Sequence, residues 1–416
     1  MIEARGNLLF IEEVPAVEIA EKVGTPVYVT SKSLLEKNVE SYLESFPRSK
    51  ILYAVKANNN LAIMKIIAKK GLGADVFSGG ELYLSLLAGF NKDLILFNGN
   101  SKSDDEIREG IDAGVKFSVD SYDELFTISE ISDKEVEIAF RINPDVDPKT
   151  HPKIATGLRE SKFGIPQSEA LKAYEVSLKT KKVKPVGIHC HIGSQIKDLS
   201  AFCEALNKIF DVAKEVEKLG IELEFLDIGG GLAIDYDGTG APKPLDLANA
   251  LIPIYESRLS ELRSEPSLWL EPGRSIVGKT TVLLTKVNAV KKGYRNFVAV
   301  DAGFNLLLRP AMYGAYHRVE VANKMNLERS LTCDVVGPIC ESGDILARDR
   351  KLPEVKKGDI VAIFDAGAYG FVMSSQYNGR PRCAEVLVSG KKWWIIRERE
   401  NYSDLLAKQK VPECLY

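Results

Sequence analysis

The sequence YAVKAN (53–58) places a lysine, Lys56, at the end of a short apolar run. Burial among apolar residues disfavours the charged form of a lysine, so its amine becomes available to form a Schiff base with a carbonyl compound. A surface lysine just past a strand has the same local sequence. The motif alone therefore leaves a structural and a chemical interpretation open.

Two further motifs carry residues suited to a ligand site. HCHIGSQ (189–195) has two histidines at i, i+2, and LDIGGG (226–231) runs into three glycines. No acidic or thiolate side chain at a clear metal-ligand spacing accompanies the histidines, so we expect one of them to act as an aromatic plate or hydrogen-bond donor. Glycines let backbone amides approach an anion, which predicts a phosphate-binding turn, although a plain tight turn has the same pattern. Ile234 stands where G-x-G-x-x-G needs its last glycine, which disfavours a dinucleotide site.

EPGRSIVGKT (271–280) contains the spacing G-x-x-x-x-G-K-T, which is also the phosphate-binding pattern of nucleotide hydrolases. In those proteins the loop opens a helix whose first turn holds the phosphate. Here Lys279 is followed by TTVLLTKVNAV, which is rich in β-branched residues and predicts a strand. The context therefore argues against a nucleotide-hydrolase loop.

From about residue 30 to 285, apolar runs with strand character alternate with segments of helical period. Such a βα repeat predicts an α/β protein with a parallel sheet, and eight units in about 250 residues predict a closed TIM-like (β/α)8 barrel. The eight runs are ILYAVK (51–56), GADV (73–76), LILF (94–97), KFSVD (116–120), EIAFRI (137–142), VGIHC (186–190), EFLDI (224–228) and LWLE (268–271).

The rest of the chain has a different pattern. Residues 286–416 contain short β-rich runs separated by glycine-containing turns, which predict an all-β domain of sandwich or barrel type. Residues 1–29 contain strand-like runs that we expect to join this β domain. The predicted division is therefore 1–29, 30–285 for the ligand-binding barrel, and 286–416.

Active sites of such barrels lie at the carboxyl ends of the strands. In this chain those positions carry polar or conformationally special residues, as a single active-site mouth requires. They are Lys56, Asp75, Arg141, His189, His191, Gly229, Gly230, Gly231 and Glu271.

Composition narrows the function classes. With 55 Lys and Arg against 58 Asp and Glu, the net charge of −3 gives no basic field for nucleic acid or anionic membranes. The N-terminal sequence lacks the basic region of a signal peptide, and no apolar run approaches the ~18 residues that cross a bilayer. Six scattered cysteines without a C-x-x-C pair predict reduced thiols in the cytoplasm and no zinc or other metal site.

Six motifs, in this order, resemble those of the fold-type III pyridoxal-phosphate (PLP) decarboxylases, and among these the diaminopimelate decarboxylase family. They are YAVKAN, HCHIGSQ, GGGL, EPGR, CESGD (340–344) and DAGAYG (365–370), and the match runs along nearly the whole chain. The resemblance implies a PLP-dependent carboxy-lyase that converts meso-2,6-diaminopimelate into L-lysine and CO2, the last step of lysine biosynthesis. Ala233 departs from the glycine that many relatives have in GGGLG, which affects only the local loop geometry.

The resemblance also implies roles for individual residues. Lys56 binds PLP covalently, His191 stacks on the cofactor ring, and Glu271 keeps the pyridine nitrogen protonated. A carboxylate beside that nitrogen favours the cationic ring, which is the stronger electron sink. The residues implied to bind the phosphate or to line its site are Ser194, Gly230, Gly231, Pro272, Gly273, Arg274 and Tyr369.

For the substrate, the resemblance implies that two arginines and a tyrosine recognise the distal carboxylate and that a glutamate accepts the distal ammonium group. Cys340 corresponds to the acid that returns a proton to Cα. In the family, Cys340 and Glu341 reach the site from the other subunit, so the resemblance implies a homodimer with two shared active sites. The substrate-contacting residues are Arg274, Arg309, Tyr313, Glu341 and Tyr369.

An ornithine or arginine decarboxylase of the same fold is the main alternative. Those relatives place an aspartate after the cysteine, whereas Glu341 follows here. Arg274 and Arg309 would be left unpaired by a substrate without a distal carboxylate, which predicts discrimination on the order of 10⁴-fold.

Two further alternatives are less consistent with the sequence. An alanine-racemase-like enzyme pairs the pyridine nitrogen with arginine, and Glu271 argues against it. A catalytically inactive, PLP-binding regulatory homologue is disfavoured because Lys56, Glu271 and Cys340 are all retained.

Overall fold

In the computed structural model, residues 1–148, 150 and 156–415 are described. The chain forms two compact units, one from Met1–Leu35 with Gly278–Tyr416 and the other from Glu36–Val277. The domain borders predicted from the sequence stay a prediction. No helix in the described part of the chain is long and apolar enough to cross a bilayer.

The N-terminal segment supplies strands to two sheets. The first three strands form a small antiparallel sheet in the order β1-β2-β3, whereas β4 pairs with strands from the C-terminal part of the chain. All five residues of β4 are buried, as expected of a strand inside a larger sheet. The elements are β1 (Ile2–Arg5), β2 (Leu8–Ile11), β3 (Val14–Pro15), α1 (Ala16–Val23) and β4 (Val27–Ser31).

The second unit contains a closed barrel of eight parallel strands, which confirms the predicted fold. Its strand order is β5-β6-β7-β8-β9-β11-β12-β13, and pairing of β13 with β5 closes the ring, while β10 adds to β9. The strands are β5 (Lys50–Ala54), β6 (Gly73–Val76), β7 (Ile95–Phe97), β8 (Lys116–Val119), β9 (Val136–Asn143), β10 (Ile165–Pro166), β11 (Val183–His189), β12 (Phe225–Asp227) and β13 (Ser267–Leu270).

Helices connect the barrel strands, and three of them begin with the sequence S-x-x-E. The hydroxyls of Ser78, Ser103 and Ser121 accept the backbone N–H three residues later, which satisfies a donor that the first helical turn leaves free. The helices are α2 (Lys32–Ser45), α3 (Leu61–Lys69), α4 (Gly79–Ala88), α5 (Asp104–Ala113), α6 (Tyr122–Ile131), α7 (Ala170–Lys179), α8 (Ser200–Lys218), α9 (Pro244–Leu259) and α10 (Arg274–Val277).

Apolar side chains fill the interior of the barrel. Phe225 and Trp269 stack with ring centres 4.0 Å apart and planes at 13°. A Cβ at Gly187 would lie 2.4 Å from the Phe225 ring, so only glycine leaves room for this pair. The interior cluster consists of Leu52, Leu96, Ala139, Val186, Phe225 and Trp269. Because this layer is apolar and closed, polar groups are confined to the strand ends.

The C-terminal part forms a mixed sheet with β4 at its centre, in the order β18-β17-β15-β14-β4-β20-β21. β4 runs antiparallel to β14 and parallel to β20, which confirms that an N-terminal strand joins this domain. The elements are β14 (Thr281–Lys291), β15 (Phe297–Val300), α11 (Arg309–Tyr313), β16 (Val319–Val321), β17 (Leu331–Val336), β18 (Ile345–Leu352), β19 (Ile360–Ile363), β20 (Ala384–Ser389), β21 (Lys392–Arg397) and α12 (Tyr402–Leu405).

The segment with nucleotide-loop spacing has the geometry that its sequence predicts. Gly278–Thr280 is a single 3-10 turn, and β14 begins directly after it. Lys279 is exposed, and no helix follows it. A lysine of this kind lacks the helical N-terminus on which a nucleotide phosphate would rest.

Candidate active site

A cavity of about 460 Å³ lies at the carboxyl ends of the barrel strands, a size suited to a small molecule. The structure brings six of the nine predicted strand-end residues together in its wall: Lys56, Asp75, Arg141, His189, His191 and Glu271. Four further polar residues that the sequence did not single out also line it: Ser78, Glu81, Asn98 and Thr156.

Lys56 lies in this cavity because the chain turns just after β5. The strand ends at Ala54, and the 3-10 turn Val55–Ala57 carries the lysine. Its ammonium group forms an ion pair with the carboxylate of Asp75, a fully buried residue of β6. The Lys56 Nζ also lies 5.7 Å from the centre of the Phe77 ring. The amine is thus held by a carboxylate while its side chain stays partly accessible from the cavity.

Asn98 connects two buried carboxylates. It follows β7 directly, and its Nδ2 donates to Asp75 Oδ1 at 2.6 Å and to Glu271 Oε1 at 2.7 Å. An amide that donates to both groups lowers the repulsion that two carboxylates would otherwise experience at close range. We call Lys56, Asp75, Asn98 and Glu271 the barrel cluster.

The pKa values of the carboxyls in and beside this cluster diverge. Burial raises the pKa of Asp75, and the nearby Glu271 adds to that effect. Burial also raises the pKa of Glu271, but His189 and Lys56 outweigh it and hold the value at about 2. The pKa of Asp227 is well above its ordinary value, through burial and the charge of Glu271. Glu271 is therefore the member of the group whose ionised form is favoured most strongly.

The two predicted histidines have different surroundings. His189 ends β11, its Nδ1 shares a hydrogen bond of 2.7 Å with Ser118 Oγ, and its Nε2 lies 3.4 Å from Glu271 Oε2. His191 accepts a hydrogen bond of 3.1 Å from the Gly230 N–H at its Nδ1. Burial, then the charges of Arg141 and Lys56, lower the pKa of His191 well below 6.5. A neutral imidazole ring therefore faces the cavity.

Only glycine fits at Gly230 and Gly231 in the glycine-rich turn. A Cβ at Gly230 would lie 2.0 Å from the Glu271 carbonyl oxygen, and one at Gly231 would lie 2.2 Å from the Gly193 carbonyl oxygen. Gly231 also has a φ of +114°, which side chains other than glycine rarely adopt. A Cβ at Gly273 would lie 2.9 Å from the Cβ of Ala54, which is also too close for a side chain. Three backbone segments therefore converge where the sequence predicted an anion-binding turn.

Arg274 lies next to this turn as the first residue of α10. It is buried, and its guanidinium group donates to Ser194 Oγ at 2.9 Å and to the Tyr236 hydroxyl at 3.0 Å. The predicted cofactor residues Ser194, Gly230, Gly231, Pro272, Gly273 and Arg274 therefore all belong to one region of the barrel. Pro272 contributes through its backbone, since its carbonyl accepts the Ala54 N–H at 3.2 Å.

These groups fit pyridoxal phosphate by their chemistry. An amine held on a carboxylate suits an aldehyde, an ionised buried glutamate suits a protonated ring nitrogen, and a glycine-rich turn suits a phosphate. Within the described residues, two buried polar atoms of the cavity wall, Asn98 Oδ1 and His189 Nε2, also have no hydrogen-bond partner. His189, Asp227 and Glu271 offer possible ligand atoms within 4.8 Å of one another, and the absence of a metal stays a prediction.

The other predicted site residues lie in the unit formed by Met1–Leu35 and Gly278–Tyr416, and they are not among those that line the barrel cavity. Cys340 and Glu341 are exposed in the loop between β17 and β18. Arg309 opens α11, is buried, and lies 2.8 Å from His317 Nε2. Tyr313 ends the same helix and is partly exposed. Tyr369 follows β19 with a positive φ of 57°.

Several of these neighbours could have been found from the sequence. Asn98 directly follows the predicted strand LILF, so the strand-end rule applies to it, but Asn-Gly is also a common turn signal. Glu81 is the glutamate of an S-x-x-E helix start, so its sequence context indicates a structural role and not a place in the cavity wall. Tyr377 and Asn378, which contact Cys340, carried no signal because nothing in the local sequence predicts that contact.

Comparison with known proteins identifies the family. Residues 32–278 match the family described as "Pyridoxal-dependent decarboxylase, pyridoxal binding domain". The diaminopimelate decarboxylase of Archaeoglobus fulgidus is 68% identical over 418 residues, covering 100% of both chains. That of Methanothermobacter thermautotrophicus is 46% identical, covering 100% of this chain and 98% of the relative. The crystal structure of the M. jannaschii diaminopimelate decarboxylase with L-lysine matches with a TM-score of 0.95 and 44% identity, covering 100% of this chain and 99% of the other. The chain therefore belongs to the diaminopimelate decarboxylase family of fold-type III, pyridoxal-phosphate-dependent decarboxylases.

Proposed function

We propose that this protein decarboxylates meso-2,6-diaminopimelate to L-lysine and CO2, the last step of lysine biosynthesis, with pyridoxal phosphate as cofactor. The barrel cluster is the observation that carries this proposal. It holds an amine and an ionised carboxylate in one cavity, joined through Asp75 and Asn98. The six free cysteines suit a reducing cytoplasm, where we place the reaction.

Lys56 and Glu271 hold the reactive parts of the cofactor. When bound, pyridoxal phosphate takes up the electron pair that Cα keeps as CO2 leaves. Lys56 supplies the amine that bonds to the aldehyde, and Asp75 orients that amine. Glu271 holds a proton at the ring nitrogen, because its pKa of about 2 keeps its carboxylate charged at neutral pH. His191 offers a neutral ring surface for stacking.

The phosphate is bound by the glycine-rich turn and its neighbours. Gly230, Gly231 and Gly273 let the backbone segments come close together at this turn, because no side chain fits at these positions. Ser194 adds its hydroxyl, and Arg274, which is hydrogen-bonded to Ser194, adds its backbone amide. Tyr369 is the remaining residue that we assign to the phosphate.

The substrate's second carboxylate and ammonium group select it against other amino acids. Arg274 and Arg309 are both buried, and a buried guanidinium is costly unless an anion or acceptor compensates it. Together with Tyr313 they recognise the distal carboxylate, while Glu341 accepts the distal ammonium group. A diamine-forming substrate such as ornithine has no distal carboxylate to pair with these two positive charges.

The active form is a homodimer with two shared sites. Cys340 and Glu341 lie on an exposed loop, where a proton donor and an ammonium acceptor have no role unless a second surface covers them. A symmetric dimer supplies each barrel with the loop of its partner. Cys340 then returns a proton to the Cα atom that has lost CO2.

Substrate identity is tested by offering meso-diaminopimelate, ornithine, arginine and lysine separately to the PLP-loaded enzyme and measuring CO2 release. We expect diaminopimelate to react at least about 10³-fold faster, in kcat/KM, than any of the others. Faster release from ornithine or arginine would favour the alternative decarboxylase. No release from any substrate, with PLP bound, would favour the inactive homologue.

Shared sites are tested with a mixed dimer. Lys56→Ala and Cys340→Ala subunits, each with its own affinity tag, are co-expressed and purified through both tags. One of the two sites in such a dimer contains both intact residues, so about half of the wild-type activity should return. Activity no higher than that of either homodimer would place Lys56 and Cys340 of one site on the same subunit.

A further inference from the structure

Cys340 is held at two points by the side chain of Asn378. The backbone N–H of Cys340 donates to Asn378 Oδ1 at 2.9 Å, and Asn378 Nδ2 donates to Cys340 Sγ at 3.1 Å. One amide therefore fixes both the backbone and the sulfur of the cysteine. Because the two residues are 38 positions apart in the chain, the contact is tertiary and not a local turn.

The backbone at Asn378 suits asparagine. Its φ and ψ of 59° and 24° lie in the left-handed region, where asparagine is enriched among residues with a side chain. Glycine adopts this conformation equally well but has no amide. The position thus combines an uncommon backbone conformation with a side chain that reaches Sγ.

Tyr377 is the second residue close to the Cys340 sulfur. The Tyr377 hydroxyl donates to Glu341 Oε1 at 2.8 Å and lies 4.0 Å from Cys340 Sγ. The Tyr377 ring stacks on Phe304, with centres 5.8 Å apart. Since the single hydroxyl hydrogen of Tyr377 points to Glu341, Asn378 is the closer donor to the sulfur. We call Cys340, Glu341, Tyr377 and Asn378 the loop cluster.

We propose that Asn378 is a positioning residue that orients the Cys340 thiol and stabilises its thiolate. This inference rests on the proposed function, in which Sγ–H gives its proton to Cα and becomes a thiolate that regains a proton from solvent before the next turnover. A donor on the sulfur lone pair leaves the S–H hydrogen free to point at the substrate. The same donor stabilises the negative charge that appears on sulfur when the proton leaves.

Two substitutions separate the functions of this amide. Asn378→Gly keeps the backbone conformation and removes both contacts. Asn378→Asp keeps an acceptor for the Cys340 N–H but places a negative charge where the donor to sulfur was. The readout is the rate at which iodoacetamide alkylates Cys340 in the full-length, PLP-loaded protein at one fixed pH, measured by mass spectrometry of the digest. Cys414, also exposed, is the control thiol in the same sample.

We expect Cys340 alkylation to slow by at least about tenfold in Asn378→Asp and by several-fold in Asn378→Gly, because a hydrogen bond to a charged group is lost in both. A loop that had merely loosened would be alkylated faster, which is the opposite sign. In turnover, kcat for lysine formation should fall by about tenfold with KM within about twofold.

Alkylation at or above the wild-type rate in both variants would overturn the role of Asn378. This outcome is distinct from failure of the proposed function, because thiol alkylation needs no turnover. If the wild-type protein released no CO2 from diaminopimelate but the alkylation rates changed as expected, the contact would stand and the reaction would be wrong.

Discussion

The barrel cluster and the loop cluster are both held together by an asparagine side chain, but one is buried and the other is exposed. In each cluster, the side-chain amide of one asparagine forms hydrogen bonds with two groups. These are the carboxylates of Asp75 and Glu271 in the barrel, and the backbone N–H and sulfur of Cys340 in the loop. The barrel cluster is largely buried, whereas the loop cluster is exposed. The two sites therefore differ in dielectric environment more than in hydrogen-bond design.

This difference appears in the acidity of their members. In the barrel, burial raises the pKa of both carboxyls; the charge of Glu271 adds to the rise at Asp75, whereas His189 and Lys56 outweigh burial at Glu271. In the loop, direct contacts act instead: hydrogen bonding to Glu341 and then to Cys340 raises the pKa of Tyr377 to about 12. The barrel cluster is organised within one chain, while the loop cluster needs a covering surface before its groups are shielded from water.

The largest expected effect comes from the amine of the barrel cluster. Lys56→Ala should lower turnover by at least about 10³-fold, because no other group supplies the covalent bond to the cofactor. Borohydride reduction followed by mass spectrometry should find the cofactor adduct on Lys56 in the wild-type protein. Lys65→Ala, on the exposed surface of α3, is the matched control and should retain full activity. An adduct on another lysine would contradict the assignment.

A neutral isostere at Glu271 tests whether the charge of the barrel cluster matters more than its shape. Glu271→Gln should leave the cofactor bound but lower kcat by about 10²-fold, since an amide cannot hold the ring nitrogen in its protonated form as a carboxylate does. Glu222→Gln, an exposed residue of the same unit, is the control. An unchanged kcat in a variant that still binds PLP would remove the electrostatic role.

Removing each amide compares the two clusters directly. Asn98→Ala leaves two buried carboxylates without a shared donor, and we expect the free energy of unfolding to fall by about 2 kcal/mol and kcat by about tenfold. Asn378→Gly removes an amide from an exposed loop, so its free energy of unfolding should change by less than about 0.5 kcal/mol. Urea unfolding of both variants measures this contrast, and equal losses would contradict it.

The smallest effect expected within the barrel cavity is a pH dependence at Glu81, beside the barrel cluster. Burial raises the pKa of its carboxyl from 4.5 to about 7, against the opposing charge of Lys56. Because the folded-state pKa is raised, the stability that the protonated form contributes is present below 4.5 and is lost as the pH rises through 7. Glu81→Gln should therefore match the wild-type protein at low pH and exceed its free energy of unfolding by about 1 kcal/mol at pH ~8.

Urea midpoints at several pH values between these limits measure this difference. Glutamine retains an acceptor for the Phe77 N–H, which Glu81 Oε2 accepts at 2.8 Å, so the helix start is preserved. A difference that stayed constant across the range would show that Glu81 does not titrate in this window.

The barrel could be predicted from the sequence because its strands are buried on both sides. Strands such as β6 and β7 are entirely buried, so they appear as continuous apolar runs between helical segments. Two strands of the β domain have weak sequence signals for physical reasons. β16 has only three residues, and β18 carries four consecutive charged residues in ILARDRKL, which resembles an exposed segment.

Candidate active-site residues could be predicted where they lie at the end of a strand or within a recognisable motif. Lys56, His191 and Glu271 all line the cavity, although their roles stay predictions. Asn98 and Asn378 could not be selected as functional residues from the sequence. Their contacts are with residues that lie far away in the chain and that only folding brings close.

The central place of β4 has a consequence for biosynthesis. This strand lies between β14 and β20, both of which follow the entire barrel in the chain. On the ribosome, Val27–Ser31 emerges first and must wait with unpaired backbone groups until the last third of the polypeptide is made. Premature termination after the barrel would leave an apolar strand without neighbours, a template for aggregation, so chaperone protection of the nascent N-terminal segment should matter more for this protein than for an isolated barrel.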